Sequence, residues 1–441
     1  MSLGLWGGGK FFKESGQRRE HKRQMKEQLR SIHPLAWTII AGTIFGRMAT
    51  SMSIPFLSIY LTTRLGVSPF HTGVIVSVSS LVGIFASFYG GYISDRIGRR
   101  KVMLVSIASW ALVFVAFALA EAAWAFFVIN ALNGLCRSLF EPTSRALLSD
   151  VTPKEKRLLI YNMRYAAINV GVVAGPLLGL LLGSASTGTP FMVAAGVYAL
   201  YGVLLLIQFA RYASDLRVGT TTGEAPLRMG EAFRTASRDP VFMPILLGTV
   251  FCVMGYAHSN STMPQFLSLS FAEGTRWFTY MLTANAICVL AFQYPLVRLA
   301  SRFSPVNSLI AGNLCIAVSL LLFSMLNTGW LFILDMVLFT IGEVLLFTML
   351  DVLIDQIADA QYKGTYFGTI GFNNLGSVLA PLFGGWLLDS YGHTAPLAVF
   401  VPITLSVVMG IPFLLVARRR LAQRTAGIAA EAGEPAQQLS S

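Results

Sequence analysis

The sequence predicts an all-α membrane protein with twelve transmembrane helices, arranged as two pseudo-symmetric six-helix bundles. Three observations lead to this prediction. Apolar residues make up 54% of the 441 residues and charged residues only 12%, which is about half the usual share of charged residues in soluble domains. The apolar residues gather in twelve stretches near the length of about 20 residues that crosses a bilayer as a helix. The second half of the chain also repeats a pattern found in the first half.

The apolar stretches are predicted to be helices because barrel strands would be shorter and would alternate polar with apolar residues. They lie at about 35–62, 72–93, 102–122, 124–148, 160–184, 190–210, 241–268, 277–299, 307–326, 330–353, 365–388 and 395–417. The predicted organisation is a basic tail over 1–34, a first bundle over 35–210, a linker over 211–240, a second bundle over 241–417 and a tail over 418–441. The basic tail has no signal-peptide pattern, so we expect the first span to act as an uncleaved insertion signal.

Lysine and arginine residues lie mostly in the tails and in alternate loops, which places them on one side of the membrane. The formal net charge of the chain is +12. Because cytoplasmic loops are enriched in these residues, we expect both termini in the cytoplasm of a multi-pass protein of the cell membrane, plasma or bacterial inner. No nucleic-acid partner is expected, since the cations follow topology and do not cover one face of a soluble fold.

The internal repeat relates the two halves of the chain. The stretch 169–179 recurs as 374–384, with a proline at the same position of both copies. This repeat predicts two parallel six-helix units with a substrate site between them near the middle of the membrane. A twelve-span channel is the alternative, but a channel would not need the repeat.

A short basic segment separates the second and third spans. Glycines at 90–91 and at 98 allow a tight turn at a membrane face. The spacing of the residues alone does not distinguish this segment from an ordinary basic loop. The segment resembles the loop between helices 2 and 3 of the major facilitator superfamily. The positions that match are Gly91, Asp95, Arg96, Gly98, Arg99 and Arg100. The resemblance implies that Asp95, Arg99 and Asp150 form a latch that closes the cytoplasmic side in an outward-facing state.

Span 5 carries a second recognisable pattern. Gly171, Gly175 and Gly179 recur at steps of four and line one helical face suited to close packing, and Pro176 allows a bend in the helix. Plain helix packing is one interpretation. The pattern is also similar to a motif of the superfamily associated with antiporting exporters. With the run 358–389, it makes the chain resemble the bacterial twelve-span drug:proton antiporters.

Several ionisable residues lie inside predicted spans, and four of them are singled out: Arg47, Arg137, Glu141 and Glu343. Each costs about 2.5–3.5 kcal/mol on insertion scales, so each is a candidate for proton coupling. Glu343 is the strongest candidate to carry a proton, and a hydrogen-bonded packing role is its alternative. The alternatives for the others are an intrahelical pair between Arg137 and Glu141 and a clamp of Arg47 onto backbone carbonyls. The buried arginine that the superfamily places in span 4 would fall near Asn130, which is not basic.

Polar and aromatic residues of the second half are predicted to line a substrate cavity. They come from spans 7, 8 and 11 and are Tyr256, His258, Asn260, Asn285, Gln293, Asn373 and Asn374. For His258, a hydrogen-bonded structural role is the alternative.

The chain contains no nucleotide-binding loop, HExxH or CxxC pattern. The sequence therefore predicts no enzyme, no cofactor, no metal site and no catalytic residues, with a proton gradient as the energy source. The predicted function is that of a monomeric secondary transporter that exports lipophilic, including cationic, small molecules in exchange for protons. The alternatives are a proton-coupled transporter of one defined metabolite or lipid, such as a sugar, amino acid, siderophore or glycolipid, and a non-transporting sensor or scaffold on the same fold.

Overall fold

A computed structural model describes residues 32–153, 156–183, 186–212, 234, 238–358 and 363–431. Most of the predicted basic tail, most of the linker and the last ten residues lie outside these described residues. The described residues are almost entirely helical, which confirms the predicted all-α fold.

The first bundle contains six helices that cross back and forth. They are α1 (Pro34–Ser53, continued to Arg64 by three short segments), α2 (Pro69–Ile97), α3 (Arg99–Leu119), α4 (Ala123–Asp150), α5 (Arg157–Leu181) and α6 (Thr189–Arg211).

The second bundle also contains six helices, three of which consist of two segments. They are α7 (Phe242–Ala257 and Thr262–Ser270), α8 (Gly274–Ala300), α9 (Pro305–Phe323), α10 (Gly329–Ile357), α11 (Lys363–Ile370 and Leu375–Tyr391) and α12 (Pro396–Val408 and Gly410–Glu431). Since α12 continues to Glu431, helical structure extends past the boundary predicted at 417.

Ten helical stretches among the described residues are long and apolar enough to cross a membrane. The predicted spans without such a stretch are spans 1 and 11, and both of these helices are interrupted. In α1 a 3₁₀ turn at Ile54–Phe56 contains a proline, which has no N–H to donate, and a π-helical turn follows at Tyr60–Arg64. In α11 a 3₁₀ turn occupies Gly371–Asn374.

The interruption of α7 is stabilised by its own side chains. The hydroxyl of Ser259 donates to the carbonyl of Tyr256 at 2.8 Å, and the hydroxyl of Ser261 donates to the carbonyl of Ala257 at 2.9 Å. Carbonyls released from the helical ladder thus remain hydrogen-bonded, which is the condition for irregular backbone at membrane depth.

The connection between α2 and α3 is shorter than expected. Residues 90–91 lie within α2, so the expectation that they form part of the turn is wrong. The turn is made at Gly98, whose φ of 99° is accessible to glycine at little cost. We call the end of the molecule that contains this turn the Gly98 end, and the opposite end, where α2 begins, the Pro69 end.

Each bundle has its own hydrophobic core. One core is drawn from residues between 32 and 209, and the other from residues between 241 and 417 together with Phe56 and Ile59 of α1. The bundles meet along α2 and α11 and along α5 and α8. The first of these seams is very close, since a methyl group added at Gly73 would overlap the carbonyl oxygen of Pro381, and one added at Gly385 would overlap that of Pro69.

Candidate transport cavity

A cavity of about 1220 Å³ lies between the two bundles. The first bundle contributes wall residues from α1, α2, α4 and α5, and the second from α7, α8, α10 and α11. Volumes of this order accommodate whole organic molecules. The cavity therefore has the size and the position between bundles that a substrate site of a transporter requires.

The cavity extends toward the Gly98 end. Its wall includes Arg145, close to the end of α4, and Phe367, close to the start of α11. At the Pro69 end the bundles are joined. The Thr62 hydroxyl donates to the side-chain oxygen of Gln265 at 3.3 Å, and the rings of Phe56 and Phe278 lie 5.5 Å apart.

A carboxylate from the second bundle also joins the bundles at the Pro69 end. Asp389 of α11 accepts hydrogen bonds from the hydroxyl of Ser68 and the backbone N–H of Phe70, each at 3.0 Å. Ser68 is the N-cap residue of α2. A negative charge at a helix N-terminus is favourable because the first N–H groups have no partner within the helix.

An ion pair between helices lies in the wall of the first bundle. Nη2 of Arg47 in α1 donates to Oε1 of Glu141 in α4 at 2.6 Å. Both residues line the cavity, as does Arg137. Glu141 therefore pairs across helices and not with Arg137 along α4, so the intrahelical pair is not what the structure shows. The proton-coupling roles of these residues stay predictions.

Glu343 lies behind the wall of the second bundle. Its carboxylate accepts a hydrogen bond from the side-chain amide of Asn285 at 2.6 Å, and the hydroxyl of Tyr256 lies beside it. The amide of Asn285 also donates to the hydroxyl of Thr340 at 2.9 Å. Asn285 and Tyr256 themselves line the cavity, so Glu343 is one hydrogen bond away from it.

The other residues predicted for the cavity divide into two groups. Asn260 and Asn374 line it, whereas His258, Asn373 and Gln293 do not. His258 is fully buried and Nδ1 of its ring lies 2.8 Å from the hydroxyl of Thr262. Asn373 is buried because consecutive residues of a 3₁₀ turn point in different directions.

Gln293 lies on the seam between the bundles and not in the cavity. Its side-chain oxygen accepts a hydrogen bond of 2.6 Å from the hydroxyl of Tyr165. This contact joins α8 to α5 in the half of the molecule nearer the Gly98 end.

The predicted latch residues cluster around the Gly98 turn. Nη1 of Arg99, at the start of α3, lies 3.0 Å from Oδ2 of Asp150, at the end of α4. Arg96 and Arg100 are exposed. Gly91 is part of α2, and the side chain of Asp95 lies outside the described residues. The ion pair joins two helices of one bundle, and its role as a latch stays a prediction.

The glycine face of α5 packs against α1. A methyl group at Gly171 would approach the backbone of Ile44, and one at Gly175 would lie 2.8 Å from the carbonyl oxygen of Met48. Gly179 is buried one turn further along. Pro176 lines the cavity and the helix is unbroken around it.

A chain of hydrogen bonds in the α4 wall was not predicted from the sequence. The indole of Trp110 donates to Asn133 at 2.8 Å, Asn133 donates to Asn130 at 3.1 Å, and Asn130 donates to the carbonyl of Ile75 at 2.7 Å. The helical spacing of polar residues at 130, 133, 137 and 141 is a signal that would have placed them on one face. Among the described residues, no cluster of three or more His, Cys, Asp or Glu side chains is placed to hold a metal ion.

Two helical bundles around a central polar cavity define a membrane transporter of the secondary type. The sequence profile of the Major Facilitator Superfamily matches residues 39–372 and 245–439. The chain therefore belongs to this superfamily, which confirms the resemblance of its loop and helix motifs.

Three bacterial relatives indicate the range of functions around this chain. An uncharacterized MFS-type transporter, YqjV of Bacillus subtilis, is 49% identical over 90% of this chain and 96% of its own length. A Na⁺, Li⁺, K⁺/H⁺ antiporter of Planococcus maritimus is 25% identical over 82% of this chain and 93% of its own. The multidrug resistance protein MdtH of Cronobacter sakazakii is 28% identical over 76% of this chain and 82% of its own.

A solved structure with a similar backbone is that of a mutant of the nucleoside transporter NupG. It superposes with a TM-score of 0.75 over 87% of this chain and 99% of its own, at 13% sequence identity. At this identity the similarity shows the fold alone.

Proposed function

We propose that this transporter exports lipophilic small molecules in exchange for protons by alternating access. The observation that carries the proposal is the position of Glu343, a carboxyl group held one hydrogen bond behind the cavity by Asn285, with Tyr256 beside it. A carboxyl group in a span is costly to keep unless it has a function. Here it contacts two side chains that a bound substrate would touch.

The hydrogen bond between Glu343 and Asn285 provides a route for coupling. The ionised carboxylate accepts a charge-assisted hydrogen bond from Asn285, whereas a protonated carboxyl group is itself a donor and a weaker acceptor. Protonation would therefore weaken the hydrogen bond from Asn285, whose amide could then turn into the cavity. A substrate that binds this amide and a proton on Glu343 would each alter the binding of the other.

Two relatives support this proposal by their names. One is an antiporter that exchanges cations for protons, and the other is a multidrug resistance protein. Proton exchange and drug export are thus both found among proteins related to this chain.

We also propose that the protein lies in the cell membrane with both termini in the cytoplasm, as the distribution of lysine and arginine indicates. The Gly98 end would then be cytoplasmic. The cavity, which extends toward this end, would be in the inward-facing state.

The proposal is tested by Glu343→Gln in proteoliposomes that export a lipophilic fluorescent dye under an imposed pH gradient. Glutamine retains the size of the side chain and one acceptor oxygen for Asn285, but it cannot take up or release a proton. We expect efflux by the variant to lose its dependence on the gradient.

Asp335→Asn is the matched control, because Asp335 is a buried carboxyl group on the same helix that hydrogen-bonds to Ser319 at 2.9 Å and does not line the cavity. Its efflux should still follow the gradient. Gradient-dependent efflux by Glu343→Gln would remove Glu343 from the coupling mechanism.

A second candidate function is the transport of one defined hydrophilic metabolite. The polar wall formed by Asn130, Asn133 and Asn260 favours it, because hydrogen-bonding groups in a site discriminate strongly between related substrates. A panel of chemically unrelated compounds separates the two candidates. Several transported compounds indicate an exporter of broad specificity, and one indicates a dedicated carrier.

A further inference from the structure

Positive charges outnumber negative charges in the cavity wall. The charged residues among the described lining residues are Arg47, Arg137, Glu141 and Arg145, and all four belong to the first bundle. Glu141 is neutralised by Arg47 at 2.6 Å. The positive charges of Arg137 and Arg145 therefore have no counter-charge in the wall.

Arg137 and Arg145 are placed to act on one molecule. Neither forms a hydrogen bond or an ion pair with any residue that the structure describes. They are two turns apart on α4, so they lie on one helical face and are separated by about 12 Å along the axis. Arg137 lies deeper in the cavity and Arg145 nearer the Gly98 end.

A third cation strengthens the positive potential of this wall. Arg164 of α5 is half-buried and interacts electrostatically with Arg145, Glu141 and Arg47. Nε of Arg164 has no hydrogen-bond partner among the described residues. The single carboxylate of Glu141, which is paired with Arg47, cannot neutralise the other arginines as well.

The opposite wall differs in character. Its lining residues carry no charge among those the structure describes, and they include Met336, Phe339, Phe367 and Phe372. Glu343 is separated from the cavity by Asn285 and Tyr256. The charged wall therefore faces an uncharged wall, in which polar side chains such as Asn260 and Asn285 lie beside an apolar patch on α10 and α11.

We propose that the cavity selects amphiphilic organic anions. A carboxylate, sulfonate or phosphate group binds between Arg137 and Arg145, where planar guanidinium groups match its oxygens. The apolar part of the molecule packs against α10 and α11. This inference rests on the proposed transport function and makes its substrate class specific. The substrates predicted from the sequence included cationic compounds, and the proposal substitutes anions for them.

The test compares three small aromatic probes of similar shape that differ in charge: 1-naphthoate, 1-naphthamide and 1-naphthylmethylammonium. Binding to the full-length protein in phosphatidylcholine nanodiscs is measured by titration calorimetry, without any gradient. We expect the anion to bind at least about tenfold more tightly than the cation, the ratio that one charge-assisted hydrogen bond supplies.

The variants Arg137→Gln and Arg145→Gln should each lose most of this preference, and Arg137→Lys should retain part of it. Arg276→Gln is the control, since Arg276 is exposed, pairs with Glu273 at 3.0 Å and does not line the cavity. Its preference should equal that of the parent. Equal affinity for the cation, no saturable binding of 1-naphthoate, or an unchanged preference in both cavity variants would overturn the proposal.

A competition experiment identifies the occupant, and a comparison of binding with transport separates this inference from the proposed function. Competition by phosphatidylglycerol added to the nanodiscs would identify the bound anion as a lipid headgroup, and lack of competition would identify it as a free molecule. If the anion binds but no pH gradient drives its transport, the proposed function fails and the anion site remains. If a cationic dye is exported in exchange for protons while the anion does not bind, the anion site fails and the proposed function remains.

Discussion

The pair of Arg47 and Glu141 is the closest contact between charged side chains in the cavity wall. Its N–O distance is 2.6 Å, and each side chain is a little more than a quarter exposed. Because one partner is on α1 and the other on α4, the pair holds two helices of the first bundle together. Removal of either partner would leave an unpaired charge beside other arginines.

A double-mutant cycle measures this interaction. We expect Arg47→Gln and Glu141→Gln each to lower thermal stability by the equivalent of about 1–3 kcal/mol, since one charged partner is left unsatisfied. The double variant should be more stable than the sum of the single effects predicts, with a coupling energy of about 0.5–3 kcal/mol.

Unfolding of detergent-purified protein, followed by differential scanning fluorimetry, provides the measurement. The same cycle on Arg276 and Glu273, an exposed pair within one helix, is the control and should give a much smaller coupling. Additive effects of Arg47→Gln and Glu141→Gln would show that the pair does not contribute to stability.

At the residue scale, sequence alone identifies which residues are unusual but not where their side chains point. Glu343 stands out because a carboxyl group in an apolar span is costly. Gln293 and His258 stand out as polar side chains in apolar spans. In the structure Gln293 lies on the seam between α5 and α8, and His258 is buried. In a bundle surrounded by lipid, outward and core positions are both apolar, so periodicity does not reveal which face meets the cavity.

The seam between α2 and α11 is an element-scale feature with little tolerance for added volume. Gly73 faces the backbone of Pro381 and Gly385 faces that of Pro69. No side chain separates the two helices at these points, so the bundles contact each other through backbone.

Gly73→Ala should therefore separate the bundles at the Pro69 end. We expect a loss of stability of about 1–3 kcal/mol from overpacking, and reduced transport because the closed Pro69 end cannot form fully. Thermal unfolding and dye efflux in proteoliposomes provide the two measurements.

Gly196→Ala is the matched control, since a methyl group added there has no neighbour within 4 Å. It should leave transport unchanged and, as a helix substitution of glycine by alanine, should not reduce stability. Equal behaviour of Gly73→Ala and Gly196→Ala would contradict the close seam.

The number and approximate positions of the helices were predictable from the sequence, but the interruptions within some of them were not. Twelve apolar stretches indicate twelve spans because length and hydrophobicity are strong signals. The breaks in α1, α7 and α11 depend on local hydrogen bonds, such as the 2.9 Å bond from the Asn374 amide to the carbonyl of Gly371. Bonds of this kind also occur within unbroken helices, so the residues that make them do not reveal an interruption.

At the scale of the whole molecule, access to the cavity is from one end. Contacts at the Pro69 end join the bundles, while the lining continues to Arg145 and Phe367 at the other end. With the proposed orientation, the cavity is accessible from the cytoplasm.

Cysteine labelling tests this access. Ser87→Cys introduces a thiol into the cavity wall, and Glu121→Cys introduces one into the exposed connection between α3 and α4 at the Pro69 end. A membrane-impermeant maleimide should label the first in inside-out vesicles and the second in right-side-out vesicles.

The parent chain, with its four native cysteines, sets the background of the labelling. Labelling of both positions from the same side would contradict the predicted orientation or the one-ended cavity.

The internal repeat makes the two-bundle architecture predictable, because two like sequences form like structures. The conformational state, in contrast, cannot be predicted from the repeat. The same sequence must stabilise both an inward-facing and an outward-facing arrangement, whose free energies differ by only a few kcal/mol. The closed Pro69 end and the position of the cavity therefore became visible only with the structure.

The carboxylate of Asp389 acts as a second, detachable cap beside Ser68, since it lies on α11 but accepts hydrogen bonds from the Ser68 hydroxyl and the backbone N–H of Phe70 in the first turn of α2. When the bundles part at the Pro69 end, water must bind this N–H in its place. Loss of an N-cap costs about 1 kcal/mol, which corresponds to a bias of about fivefold toward the closed Pro69 end. With the proposed orientation and direction of transport, the resting population of the carrier is thus weighted toward the side from which cargo is loaded.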